Sequence, residues 1–439
     1  MFAFAVLPMA LAFDSGGTIS TRIRVAPDGS LLDFHDSAMV EPWVQARPDS
    51  RVTARGALSL RMHPGTNLTA FEDADSAATV LPLSLRLTDA WLMARHERTH
   101  LKLGVQRIPW GVGTGISVVD TVNPWDLSNP TRFDQRLSVP AAQLVYARES
   151  VSAEFVTVPV FVPSLMPSSG VDLLAGGADL FDAESTGAGD LEINSMESRL
   201  SVPGTDVLSG SVAGRLRFSG ARMDAALLWY HGIDSLPQVS GEVVLTGFQT
   251  DTGRVDVGVP MAYPEVDVGG LTVKGALFSD ITGWVEVSVV LPSETSATAS
   301  QSQLEALQRL GTIETVPDPL PVTVTQDGQP YFRWLTGVDR FLGPVYLNVQ
   351  WLHGFPTERQ QSELSDYGLV LIRYTVTPTV RLSVHGVSDG EGWLSGGEIA
   401  LLYADNLELD LGVTLVGSSG TLGDFSGIGH GTLGATMVF

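Results

Sequence analysis

Apolar and polar residues alternate at period two through segment after segment of this chain, and that alternation constrains its fold more than any other feature. Ile19, Ile23 and Val25 alternate with Ser20, Arg22 and Arg24; Leu58, Leu60 and Met62 alternate with Ser59 and Arg61. Leu83, Leu85 and Leu87 interleave with Ser84 and Arg86, and Leu101 and Leu103 with His100 and Lys102. Near the C-terminus Leu407, Leu409, Leu411, Val413 and Leu415 alternate with Glu408, Asp410 and Thr414. A helix puts residues i and i+2 on opposite sides, whereas a strand puts them on one face. Each segment runs about ten residues and ends in a turn, the length of a strand that crosses a bilayer. No stretch approaches the roughly 18 consecutive apolar residues of a spanning helix. Mean hydropathy is nevertheless positive, at +0.16. The apolar residues are dispersed over strand faces.

The connections alternate in length. Short turns fall at Arg47–Ser50, His96–Thr99, Glu149–Ser152, Ser219–Arg222, Ser279–Thr282, Arg340–Gly343, Thr375–Thr379 and Ala404–Asn406. Between them lie long loops rich in Gly, Pro, Ser and Asp, at 109–137, 162–210, 233–267 and 292–329. Outer-membrane barrels place periplasmic turns and extracellular loops in this order. Eight short turns and two free ends predict an all-β fold, a transmembrane antiparallel β-barrel of about 18 strands, with 16 the nearest alternative. The hairpin around 39–63 is weakly patterned. Residues 241–262 are expected as a β-ribbon outside the membrane, and Ser302–Leu310 as a short helix ending at Gly311.

Residues 2–13, FAFAVLPMALAF, form a short apolar run with an A-x-A step, which reads as a secretory signal cut after Ala12. A basic n-region is missing, since the first Arg or Lys is Arg22. The signal is therefore truncated, or the segment is an N-terminal strand. Residues 13–439 are expected to form a single outer-membrane barrel. Its last strand, 432–439, puts Leu433, Ala435, Met437 and the aromatic Phe439 on one face. That pattern resembles the recognition strand of proteins inserted by the outer-membrane assembly machinery, which implies Leu433, Met437 and Phe439 as a membrane-insertion signal. Trp229, Trp284, Trp334, Trp351 and Tyr403 fall on lipid-facing phases and are expected in the interfacial girdles.

Once the leucines fix the lipid phase, the other phase faces the lumen, because a charge on lipid costs ~2–4 kcal/mol at mid-bilayer. The lumen phase carries Arg22, Arg24, Arg55, Arg61, Arg86, Lys102, Arg215, Arg217, Lys274, Arg333, Arg373 and Arg381. Against these twelve stand six acids: Asp224, Glu286, Asp339, Glu398, Glu408 and Asp410. The wall is net basic although the whole chain carries a formal charge of -23, so the acidic excess sits in the loops. Rings of Arg favour anions. Paired Arg–carboxylate ladders with no net field are the alternative, and the sequence leaves both open.

Loop 109–137 contains Asn123-Pro124 and Asn129-Pro130, which make it rigid. It either folds inward as a constriction built on Asn123, Trp125, Asp126 and Asn129 or stands outside as a stiff cap. The acids of loop 162–210 read as a solvated face, since no EF-hand spacing is present. An acidic total argues against a nucleic-acid partner. With no Cys, disulfides and thiolate sites are excluded. Gly429–Gly434 matches GxGxxG without room for the following helix, and no GxSxG, HExxH or P-loop occurs. No enzyme, cofactor or metal site is expected.

Leu103-Gly-Val-Gln106-Arg107-Ile-Pro-Trp110-Gly111, then Asp120-Thr-Val-Asn123-Pro124-Trp-Asp126, is similar to a strand and loop of a largely uncharacterised group of Gram-negative outer-membrane barrels near the alginate-export porins. Tyr331–Arg340 followed by Tyr346–His353 resembles that group's late hairpin. The resemblance implies a monomeric barrel of about 18 strands in the bacterial outer membrane whose Arg-lined pore passes anionic or polar solutes. It also implies Gln106 and Asn348 as wall hydrogen bonders. The function expected is a porin-like channel for small hydrophilic, anionic solutes, in contact with outer-membrane lipid. The alternatives are a plugged structural or assembly barrel acting through its acidic loops, and an exporter of anionic polysaccharide.

Overall fold

The computed structural model describes residues 12–32, 38–62, 83–129, 132, 134–165, 192–204, 210–249, 254–278, 280–309, 322–355, 357–417, 422 and 429–439. Eighteen strands among them build the barrel: β1 Ala12–Val25, β2 Ala38–Arg47, β3 Val52–Met62, β4 Leu83–His96, β5 Thr99–Gln106, β6 Val139–Arg148, β7 Val151–Val158, β8 Ser211–Ser219, β9 Met223–Ile233, β10 Glu265–Ala276, β11 Ile281–Pro292, β12 Tyr331–Leu342, β13 Val345–His353, β14 Asp366–Thr377, β15 Val380–Ser388, β16 Trp393–Ala404, β17 Leu407–Val416 and β18 His430–Val438. Each pairs antiparallel with the next, and β18 returns to β1. The sheet therefore closes with no free edge, as a strand structure in lipid requires. This is the closed 18-strand antiparallel barrel that the alternation and the turn count predict.

The closing seam is made by β1, whose residues 12–21 pair with β2 and 18–25 with β18. Gly17 and Phe439 exchange backbone hydrogen bonds of 2.8 and 2.9 Å. A Cβ at Gly17 would stand 2.5 Å from the Phe439 ring, so only glycine lets the terminal aromatic lie over the joint. The other eight junctions at this end are the short turns. Glu97 and Glu149 take left-handed φ values of 48° and 49° there, and Asp49 Oδ1 accepts from the amides of Arg51 and Val52.

The outer face is an apolar belt: Leu85, Leu227, Val384 and Leu411 are each more than half exposed. At the long-loop end Trp229, Trp351 and Trp393 lie outward, and Trp334 packs on Trp351 and His353 at ring centroids 5.9 and 5.8 Å. Trp284 corrects the girdle expectation. It shares the phase of Glu286, points into the lumen and is 2 % exposed, while its neighbours Val285 and Leu291 carry the lipid face. The closed apolar belt and the two unlike ends place the protein in a bacterial outer membrane.

Above the long-loop end, Gly241–Gln249 and Arg254–Ala262 form the expected ribbon. Glu192–Ser201 joins it in parallel, and Thr295–Ala299 and Val322–Gln326 extend it. Helix α1 spans Gln301–Arg309, and Leu310 lies outside the described residues. Residues 1–11 and most of the acidic loop 162–210 lie outside them too, and Ala12, the expected cleavage position, pairs with Arg47 in β1.

Candidate functional site

The chain turns inward immediately after β5. Gln106 ends that strand fully buried, its side-chain amide donating to the Ala141 carbonyl at 3.1 Å. Ile108, Trp110, Ile116, Val118, Val119 and Val122 are apolar with no lipid to face, and they bury against the inner wall. Their contacts there are the inward residues of β6 to β13, among them Val156, Ala213, Val268 and Leu335. The described residues of 107–138 thus cross the lumen and pack one half of it.

Wall side chains hold the far reach of this crossing. Glu286 on β11 accepts from the amides of Val112, Gly113 and Val118 at 2.5, 2.7 and 3.0 Å and from Ser117 Oγ at 2.7 Å. Four donors on one carboxylate repay much of the cost of its complete burial. Gly113 fits here because a Cβ would lie 2.4 Å from Leu335. Gln350 on β13 exchanges two hydrogen bonds with the Thr114 backbone, 3.2 and 2.6 Å.

The return limb is fixed by the Asn-Pro segment. Asn123 is 1 % exposed; its side-chain Oδ1 accepts from the Ile108 amide at 2.7 Å and its Nδ2 donates to Leu137 O at 2.7 Å. Trp125 lies under the Arg136 guanidinium, 3.0 Å from the ring centroid. Asp126 receives Arg61 of β3 at 3.2 Å and Arg86 of β4 at 3.0 Å. Burial works to raise the Asp126 carboxyl, but Arg86 and Arg61, with Ser128, overcome it and hold it below the usual carboxylate range. Arg136 is pushed down to about 10 by burial, with Asp120 opposing, and stays cationic at neutral pH. Asn129 lies buried at the rim of the remaining opening; Pro130 and Thr131 are outside the described residues.

On the other side of the crossing a cavity of about 460 Å³ remains. Thr114, Gly115, Ile116, Asn129, Arg132 and Asp134 border it from the loop. The opposite wall is β14 to β18 with β1, and strand register sets its pattern. Arg24 lies level with Thr432, Gly412, Glu398, Ser383 and Arg373 in one transverse row. The adjacent row holds Arg22, Gly434, Asp410, Ala400 and Arg381. Carboxylates run down the middle of this wall with guanidiniums on both flanks.

The inward basic residues of the sequence therefore occupy four environments. Arg22, Arg24 and Arg373 border the cavity. Others meet acids on the wall: Arg55 with Asp89 at 3.2 Å, Arg217 with Asp224 at 2.8 Å, Arg215 with Glu154 at 2.6 Å and Arg381 with Glu408 at 3.0 Å. Lys102 sits 4.3 Å over the Trp91 ring, and Lys274 5.5 Å from that of Trp284. Glu286 and Arg333 lie beneath the crossing loop, away from the opening, and Asp339 accepts from the Tyr346 hydroxyl at 3.3 Å. Asn348 is fully buried on the wall.

Glu154 and Asp89, which meet Arg215 and Arg55, are absent from the sequence assignment. Glu154 was accessible to it, since Ala153 and Phe155 mark the lipid phase on either side. Asp89 was not. The register slips between Ala57 and Leu58, which inserts one extra residue on β4 and turns Asp89 inward although Leu85 and Leu87 share its parity.

No family model matches the sequence, and no curated protein matches it, so the likeness to the alginate-export group has no support from those two comparisons. Solved structures similar in fold include OccAB4 of Acinetobacter baumannii, at 8 % identity and TM-score 0.49 over 99 % of this chain and 100 % of that one. The Salmonella typhi OmpF complex with daunomycin aligns at 8 % identity and TM-score 0.43, over 99 % of both chains. OmpT of Vibrio cholerae lacking loop L8 aligns at 9 % and 0.43, over 98 % of this chain and 100 % of that one.

Proposed function

We propose that the protein is an outer-membrane channel for small hydrophilic solutes with a preference for anions, and that its passage runs between the crossing loop and the wall of β14 to β18 and β1. The observation that carries this reading is the cavity of about 460 Å³ bordered by Arg22, Arg24 and Arg373. Arg55, Arg61, Arg86, Arg215 and Arg217, away from the opening, are each engaged by a carboxylate, so the field felt by a permeating ion comes chiefly from this wall. Arg373 has no carboxylate of the described residues within 4.0 Å. Glu398 and Asp410 between the arginines temper the field, which favours a moderate anion preference over an exclusive one. One barrel holds one complete passage, so a monomer suffices. The crossing loop fills half the lumen, which is what a plugged structural barrel would need; the bordered opening on the other side favours conduction.

The test is the reversal potential of the purified protein in a planar bilayer under a potassium chloride gradient. Steps of current reversing on the chloride side support the reading. Insertion without current, or reversal on the potassium side, contradicts it.

A further inference from the structure

Three guanidiniums converge in the closed half of the lumen. Arg136 from the crossing loop, Arg333 from β12 and Arg359 from the segment after β13 border a cavity of about 50 Å³ together with Asp120 and Asp234. Two of the three have acids: Arg136 lies 4.0 Å from Asp120, and Arg359 is ion-paired with Asp234. The next carboxylates outward are engaged elsewhere. Glu358 accepts from the Tyr367 hydroxyl and the Phe355 and Ser365 amides at 2.6, 2.6 and 3.2 Å, and Glu286 takes its four donors from the crossing loop.

Arg333 differs from its neighbours. No carboxylate of the described residues lies within 4.0 Å of its guanidinium, and its Nε, like that of Arg359, is buried without a partner. The Tyr331 ring lies 5.8 Å away, and Asp234 and Glu358 act on Arg333 only from beyond ion-pair distance. A guanidinium Nε–H buried without an acceptor is costly, and the natural complement of a guanidinium is an anion.

We propose that this cavity binds one small monovalent inorganic anion of chloride size, seated on Arg333 and shared with Arg136 and Arg359. The space holds about three or four water-sized bodies, room for an ion and its residual waters. One such water would donate to Asp120 Oδ1, a buried acceptor that also has no partner. Asp120 and Asp234 in the lining select against multiply charged oxyanions. The anion would join three separate pieces of chain, so it would lock the crossing loop to the wall.

Crystals of the full protein grown in bromide test this by anomalous scattering. A bromide peak within about 3.5 Å of the Arg333 guanidinium is expected. Thermal unfolding in detergent at fixed ionic strength gives the second readout. The transition should be higher in chloride or bromide than in gluconate, and the difference should vanish in Arg333→Leu, or in Arg333→Gln should the leucine variant not fold. Water alone in the cavity of the bromide crystals overturns the proposal, as does an undiminished halide shift in the variant.

Discussion

Gln350 on the wall holds Thr114 of the crossing loop by both halves of its side-chain amide, joining residues 236 positions apart in the chain. With Glu286 this contact sets how far residues 107–138 reach across the barrel. The width of the opening is therefore a property of a few wall side chains and not of the strand number alone.

The near anchor of the return limb is Asp126. Asp126→Asn leaves Arg61 and Arg86 facing a neutral group in a buried site, a loss of about 3–5 kcal/mol for breaking such a cluster. The closed sheet keeps its own hydrogen bonds, so the cost falls on the loop. Folded Asp126→Asn protein should show higher and noisier single-channel current and faster proteolysis within 107–138, with its barrel circular dichroism unchanged.

The same anchor responds to acid in a defined direction. A carboxyl held below its unfolded value contributes stability above the usual range of about 4 and loses it as pH falls through the lowered value. Cleavage within 107–138 by an acid-active protease should be steady down to about pH 4 and rise only below it. Digestion against pH checks this, and Asp126→Asn should lack the acid step.

Arginines in different environments should behave differently. Arg373→Glu, at the opening, should move the reversal potential toward potassium with little effect on stability. Arg215→Leu, in the packed half, should leave selectivity nearly unchanged. It would instead strand Glu154, which also holds Trp110 and Gln143, at a cost of about 3–5 kcal/mol. Reversal potentials and thermal unfolding of both variants separate the two roles.

The seam depends on a missing side chain. Gly17→Leu would push into the Phe439 ring and cost about 1–3 kcal/mol by overpacking. The variant should lose its anomalous mobility on unheated gels at a lower temperature than the native protein.

Much of this architecture is legible in the sequence, for a physical reason. A lipid-facing strand must be apolar at every second residue, so Leu407 to Leu415 announce both a strand and its outer face. The eight short turns are equally plain. What period two cannot supply is depth and company. Reading Trp284 as a girdle residue like Trp229 overlooks that it shares a strand face with Glu286, two residues on. Arg333 and Arg373 have the same phase and type, but one is sealed under the loop and the other borders the opening, because a segment from β5 crosses to one side only. Whether loop 109–137 would fold inward was undecidable from its Asn-Pro steps, which stiffen a loop wherever it lies. The apolar run from Ile116 to Val122 was the missed signal, since an external loop has little reason to carry it.

A passage confined to one side of the lumen makes wall positions unequally accessible to a thiol reagent. The chain contains no cysteine, so an introduced one is the sole target of a charged methanethiosulfonate reagent. Ser383→Cys stands on the wall that borders the opening, and Val156→Cys lies in the packed half. Reagent added during single-channel recording should reduce the current through Ser383→Cys and leave that through Val156→Cys unchanged. Block at Val156→Cys with none at Ser383→Cys would contradict the account.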